Sequence, residues 1–353
     1  MSLKTNPGNF FEDFRLGQEI VHAVPRTVTT GDVALYIGLT GSRFALPSSD
    51  AFARSIGYGK APVDDILVFH IVFGRTVADI SLNAIANLGY AQCKFGAPVY
   101  PGDTLATRST IIGLKENSNR ETGIVYVRSV GRNQRDEVVL DYVRWVMVKK
   151  RDQAKAAPTS HVPDMAGAVA PSDFYIPAGL QMGEYDLALA GSPHVWEDYA
   201  KGERIDHVDG MTLEESDHMT ATRLYQNNAK VHFNQHAESK GRFGKRLIYG
   251  GHIISLARAL SFNGLANAFR VLSLNGGRHA NPSLAGDTIY AWSEVLDAIE
   301  LPGRGDVGAL RLRTIATKDR PCADFPRPAA DGKYPAEVVL DLDYTVLLPR
   351  RAA

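Results

Sequence analysis

His232 is the position where this chain is best placed to do acid–base chemistry, and the chain itself supplies the comparison that singles it out. Phe11-Glu12-Asp13-Phe14 returns as Trp196-Glu197-Asp198-Tyr199, Asp32 as Asp217, and Tyr58-Gly59-Lys60 as Phe243-Gly244-Lys245, each 185 positions later. On that overlay Pro47 falls opposite His232. An imidazole can take and give a proton near neutral pH, and a proline ring cannot. The plainer alternative is a half-buried histidine hydrogen-bonded for structure. Gly250 and Gly251 precede a long apolar stretch, where they are either turn residues or a place for a ligand to approach the free N–H groups of a helix start. Asp64 and Asp65 open the matching stretch of the first copy. Helix capping is the simpler role for them, and a catalytic carboxylate the sharper one. Arg242, Lys245 and Arg246, with Arg43 in the first copy, could meet a ligand carboxylate, although most such residues are solvated surface charges.

These groups must be positioned by a fold unit that occurs twice. Gly102-Asp103-Thr104 returns as Gly286-Asp287-Thr288 after a one-residue slip, and Val138-Val139-Leu140-Asp141 as Val338-Val339-Leu340-Asp341 after an insertion. The period is far too long for a solenoid. Two domains are expected, 1–150 and 184–353, joined by a surface linker over 151–183 rich in Ala, Pro, Asp and Ser. Each copy carries a helix-start signature, Thr29-Thr30-Gly31-Asp32 or Glu214-Glu215-Ser216-Asp217, ahead of a short helix over 33–39 or 218–225. The apolar run 66–80 is too long for a typical strand and predicts a buried helix, as does 253–260. Alternating stretches at 125–130, 143–148, 310–315 and 344–348 predict strands. One long helix followed by several consecutive strands is an α+β pattern with antiparallel pairing.

Composition removes several function classes. With 39 basic and 39 acidic residues the formal charge is zero, so no overall field would recruit nucleic acid or a membrane surface. Cys93 and Cys322 are the only cysteines, which fits a reducing compartment and makes no zinc site. The N-terminal residues lack the apolar core of a signal peptide and no run approaches a membrane span, so a cytoplasmic protein is expected. No P-loop, dinucleotide fingerprint or metal-ligand cluster is present, and no cofactor is expected. Homo-oligomerisation is left open.

In their order, these residues resemble the MaoC-like family of (R)-specific enoyl-CoA hydratases. That family's pattern runs Asp-x-Asn-Pro-hydrophobic-His, then Phe-Gly, then His-Gly at the start of a long helix. Here the second copy reads Asn227-Asn228-Ala229-Lys230-Val231-His232, then Phe243-Gly244, then Tyr249-Gly250. The resemblance implies a double hot-dog, two tandem units each with a long helix wrapped by an antiparallel sheet. It also implies reversible hydration of a 2-enoyl-CoA thioester by the second unit, with a catalytically degenerate first unit. Ser48 to Ala53, Ala61 to Asp65, Leu114 to Arg120, Tyr225 to Asn227 and Val231 to Asn234 are similar to the tandem members that act on mesaconyl-CoA, an acyl-CoA with a branched dicarboxylic acyl group. By this resemblance His232 is the acid/base, the Gly250 N–H binds the thioester oxygen, and Tyr249 replaces the family's His, donating to substrate or packing. The sequence departs from the pattern at Asn227, since an amide can orient a water but cannot take its proton. Either His232 acts alone, or a carboxylate such as Asp65 arrives from the other unit. Arg242 and Arg246 are the candidates for the free carboxylate. The competing expectations are a straight-chain enoyl-CoA hydratase, a hot-dog thioesterase and a non-catalytic acyl-CoA-binding protein.

Overall fold

The computed structural model describes residues 4–351. The first unit contains β1 (Glu19–Thr27), α1 (Thr30–Thr40), α2 (Ala45–Ser48), α3 (Asp50–Ser55), α4 (Asp65–Arg75), β2 (Ala84–Phe95), β3 (Thr104–Glu116), β4 (Thr122–Arg132) and β5 (Val138–Lys149). A short α5 (Leu187–Ala190) leads into the second unit. There follow β6 (Arg204–Asp206), β7 (Met211–Thr212), α6 (Glu215–Tyr225), α7 (Lys230–Phe233), α8 (Gln235–Glu238), α9 (Gly250–Leu260), β8 (Arg270–His279), β9 (Thr288–Leu301), β10 (Arg304–Lys318) and β11 (Val338–Pro349). The strands predicted from alternation all lie inside β4, β5, β10 and β11.

All the strands join one 11-stranded antiparallel sheet in the order β1-β3-β4-β5-β2-β8-β11-β10-β9-β6, with β7 also pairing with β9. The two halves of that order are the two units. They meet at β2 and β8, where Tyr90 pairs with Gly277 and Lys94 with Ser273. A sheet that curls around a helix buries the helix on all sides, which is why α4 is apolar without a polar face. Every residue from Ile66 to Gly74 is buried, as is every residue from Gly251 to Leu260 in α9. The helices touch across the pseudo-two-fold axis. His70 Nε2 lies 2.8 Å from Ser255 Oγ, and these are equivalent positions 185 residues apart.

The helix starts differ in how they are satisfied. Thr29 Oγ1 accepts from the Asp32 N–H at 3.1 Å while the Asp32 carboxylate accepts from the Thr29 N–H at 2.7 Å, a reciprocal capping box. Glu214 makes no such bond, so α6 relies on Glu215 and Asp217 in its first turn to oppose the dipole. The predicted helix over 66–80 is shorter than expected. α4 ends at Arg75 and a wider π turn covers Val77–Ser81. At the break the Thr76 hydroxyl donates back to the Phe73 carbonyl at 2.7 Å, the local side-chain competition that unsettles a helix end.

The segment 151–183 contains two 3₁₀ turns and is more firmly attached than a bare surface linker. His161 and Leu114 exchange two backbone hydrogen bonds at 2.8 Å, and the Val169 N–H donates to Asn275 Oδ1 at 3.0 Å. Phe174, Ile176, Leu180 and Met182 pack against the apolar cluster of Leu46, Phe52, Tyr58 and Phe269. Among the described residues no helix is long and apolar enough to cross a membrane.

Candidate active site

A cavity of about 1100 Å³, counting its mouth open to solvent, lies between the units. The second unit contributes Asn227, His232, Tyr249, Gly250 and His279, and the first contributes Phe73, Asn87, Tyr90 and Arg144. No Asp or Glu is among the residues that line it. Three of these side chains stand where the chain changes direction: Asn227 just after α6, His232 in the single turn of α7, and Tyr249 as the N-cap residue of α9.

The hydrogen bonds define the state of the imidazole. His232 Nδ1 lies 2.9 Å from the Leu247 carbonyl, which can only accept. The neutral ring therefore carries its proton on Nδ1 and presents a lone pair at Nε2. Burial pushes the His232 pKa down to about 4, against the raising effect of the Leu247 bond, so the ring is neutral at pH 7. Asn227 is buried. Its carbonyl oxygen accepts from the Ala229 N–H at 3.3 Å, an arrangement that leaves the amide NH₂ as a donor. The Tyr249 ring is centred 5.5 Å from that of His232, and its buried hydroxyl has no hydrogen-bond partner.

Gly250 is required by close approach. A Cβ there would sit 2.4 Å from Nδ1 of His279, so only glycine allows this ring against the start of α9. At a helix start the first N–H groups lack intrahelical acceptors, and at the start of α9 Gly250 lines the cavity. Gly251 does not line it. A Cβ on Gly251 would meet the Tyr249 ring at 2.4 Å, so its smallness serves to seat Tyr249.

Six other sequence candidates lie away from the cavity. Asp65 lines a second, smaller pocket with Pro47, its carboxylate 3.8 Å from Arg270 and accepting the Val271 N–H at 2.9 Å. The structure thus keeps it apart from His232, because it opens α4 while the cavity lies at the start of α9. Asp64 takes the capping role, accepting the Ile66 N–H at 2.8 Å. Arg246 pairs with Glu215, and Arg242 is exposed beside the Phe243 ring. Neither these nor Lys245 and Arg43 line the cavity.

Other residues of the site went unmarked in the sequence. His218, on α6, accepts the Tyr249 N–H at Nε2 (2.9 Å) and so anchors the entry to α9. His279 closes β8, with Nε2 3.2 Å from the Tyr90 hydroxyl and Nδ1 unpaired. Burial pushes its pKa down to about 4, and the neighbouring His232 acts in the same direction. Arg144 was visible only as a charge inside the apolar run Val143 to Val148.

Comparison with known proteins gives this geometry a class. The fold overlays on a MaoC domain protein from Chloroflexus aurantiacus with a TM-score of 0.98 and 66% identity, covering 99% of this chain and 100% of that one. It also overlays on a Mycobacterium tuberculosis protein described as a double hotdog fold, with a TM-score of 0.77 and 25% identity over 98% and 99% of the two chains. The molecule is a MaoC-like double hot-dog. At the level of sequence, the family profile described as mesaconyl-CoA hydratase matches residues 3–329. A β-methylmalyl-CoA dehydratase of Chloroflexus aurantiacus is 66% identical over 351 residues, 99% of this chain and 100% of that protein. A mesaconyl-CoA hydratase of Cereibacter sphaeroides is 61% identical over 348 residues, again 99% and 100%. The chain belongs to the mesaconyl-CoA hydratase family.

Proposed function

We propose that this chain adds water reversibly to mesaconyl-CoA, giving β-methylmalyl-CoA, in the cavity between its two units. The observation that carries the mechanism is the bond from His232 Nδ1 to the Leu247 carbonyl, which leaves Nε2 as a base at the cavity wall. The Asn227 amide donates to the reacting water and orients it. His232 Nε2 takes one of its protons as the oxygen bonds to the β-carbon. The thioester becomes an enolate whose oxygen is met by the Gly250 N–H at the start of α9. The proton held by His232 then passes to the α-carbon, so atoms and charge balance and the imidazole returns to its neutral form. No carboxylate is needed, in keeping with a cavity that has none along its wall. The ligand is an acyl-CoA thioester, and a cytoplasmic location fits the two reduced, buried cysteines.

The test is a turnover assay on mesaconyl-CoA and crotonyl-CoA with wild type and His232→Ala, following enoyl absorbance and free CoA together. Wild type should consume mesaconyl-CoA without releasing CoA, and the variant should lose that activity. CoA release would make the protein a thioesterase. Turnover of crotonyl-CoA alone would overturn the substrate, and a fully active variant would overturn the role of His232.

A further inference from the structure

Arg144 is a buried cation that the protein leaves without an anion. It lies within β5 of the first unit with 1% of its surface exposed. Nη2 donates to Thr76 Oγ1 at 2.9 Å and the guanidinium sits 4.4 Å from the centre of the Phe73 ring, while Nε has no acceptor. The other buried arginines are compensated. Arg270 faces Asp65, and Arg258 is held by Ser261 and the Ala268 carbonyl with the Asp64 and Asp65 charges nearby. Around Arg144 the polar neighbours are Thr76 and the hydroxyls of Tyr90, Tyr142 and Tyr249, with Tyr142 in hydrogen-bonding reach, and no carboxylate forms an ion pair with it among the described residues. Further buried polar groups on the same wall lack partners, among them the Asn87 amide, the Tyr249 hydroxyl, His279 Nδ1 and the Ser81 and Ser283 hydroxyls. Taking a guanidinium out of water costs several kcal/mol unless an opposite charge meets it. In a cavity without Asp or Glu, that charge must come with the ligand.

We propose that Arg144 is the specificity-determining residue of the cavity, receiving the free carboxylate of the acyl group on its unused N–H groups with the Asn87 amide beside it. This rests on the hydratase reading and deepens it. In mesaconyl-CoA the free carboxylate is carried by the carbon that takes the hydroxyl, so anchoring it fixes the reacting carbon against the water held by Asn227 and His232. The distances run continuously along the wall. The Phe73 ring under Arg144 is 5.7 Å from Tyr249, which is 5.5 Å from His232. A planar guanidinium matches a carboxylate with two parallel bonds, which a lysine ammonium cannot do. The Val-Val-Leu-Asp correspondence puts Tyr344 opposite Arg144 in the second unit. The unit without the histidine therefore supplies the carboxylate reader, and neither unit holds a complete site.

Two saturated, unreactive probes isolate this contact, 2-methylsuccinyl-CoA and 2-methylbutyryl-CoA, which differ by a carboxylate in place of a methyl group. Calorimetric binding to the full-length wild type should favour the first by at least roughly 30-fold, the scale of a buried charge pair. Arg144→Met should abolish that preference while holding 2-methylbutyryl-CoA within about threefold of wild type. Its thermal midpoint should stay level or rise, because an uncompensated buried charge has been removed. A preference retained by Arg144→Met, equal weakening of both probes, or no preference in wild type would each overturn the assignment. An unfolded Arg144→Met variant would count against an uncompensated charge. The preference would then be read from Arg144→Lys, which should lose it by about tenfold, and an unchanged preference there would also reject the proposal. A wild type that prefers the dicarboxylic probe yet does not turn over mesaconyl-CoA would refute the hydratase reading and leave the role of Arg144 standing.

Discussion

The cavity around His232 and the pocket around Pro47 are built from equivalent stretches of the chain, yet one is open and the other is plugged. Counting the solvent at their mouths, the first spans about 1100 Å³ and the second about 390 Å³. On the repeat overlay Tyr249 and Gly250 correspond to Asp64 and Asp65, while Phe73 and Ile85 correspond to Arg258 and Arg270. Two acids at one helix start and two arginines facing them turn an open cavity into a buried polar network. The connecting segment adds cover on the same side, with Tyr175 stacked 5.5 Å from the Arg270 guanidinium. A helix N-terminus attracts negative charge in either case. In the first unit the chain's own Asp64 carboxylate satisfies it, and in the second the equivalent helix start borders the cavity. The two copies thus differ in one respect: internal ion pairing fills in the first the position where the second has a cavity.

That contrast can be broken or sharpened by substitution. The largest effect is expected from His232→Ala, which should lower kcat on mesaconyl-CoA by about 10² to 10⁴-fold, whereas Pro47→Ala should change it by less than about twofold. A comparable loss in both would mean that both pockets work.

Next comes Asp65→Asn, which leaves Arg270 buried without its counter-charge. Denaturant unfolding should show a loss of about 3–5 kcal/mol, with kcat close to wild type. A drop in kcat at unchanged stability would return Asp65 to the catalytic machinery.

Acid should weaken the fold through the buried histidines. His207, His252 and His279 all have their pKa pushed down to about 4 by burial. The unfolded chain binds these protons near pH 6.5, so the stability contributed by the neutral rings is complete above that pH and is lost as the pH falls from 6.5 to 4. For the fully buried His207 and His252 the loss is about 3 kcal/mol each. Asp65, pushed up to about 6 by burial against the lowering effect of Arg270, opposes this by roughly one such increment. Thermal midpoints measured from pH 8 to 4 should be flat and then decline below 6.5, and a rise would contradict the burial of these rings.

Gly250→Ala brings a Cβ to 2.4 Å from His279 and should cost about 1–3 kcal/mol of stability with roughly tenfold slower turnover. Arg242→Ala should be the quietest, within about 0.5 kcal/mol in stability and about twofold in kcat/KM, as suits an exposed side chain away from the cavity.

Much of this architecture was legible in the chain because duplication writes every local signal twice. The long buried helices, the alternating strands and the Gly-Asp-Thr turns are short-range patterns, and two copies at a fixed spacing corroborate each other. His232 could be picked out for the same reason, since its counterpart is Pro47. The candidates for the substrate carboxylate do not line the cavity, because sequence proximity is not spatial proximity. Arg242 and Arg246 are close to His232 along the chain, but Arg242 is exposed and the largely buried Arg246 meets Glu215, so neither lines the cavity. Asp65 opens a helix start as the sequence indicates, and it lines the second pocket rather than the cavity of His232.

By itself, the sequence determined the tandem α+β unit, the helix starts, and an imidazole at position 232 where the first copy has Pro47, because these depend on local periodicity and on the identity of single residues. The tertiary structure decided which residues share a cavity. Arg144 reaches His232's cavity only because β5 of one unit and α9 of the other face the same space across the joined sheet. No spacing within either copy encodes that meeting, since it depends on the pairing of β2 with β8 and on the packing of two helices about an axis that the chain never states.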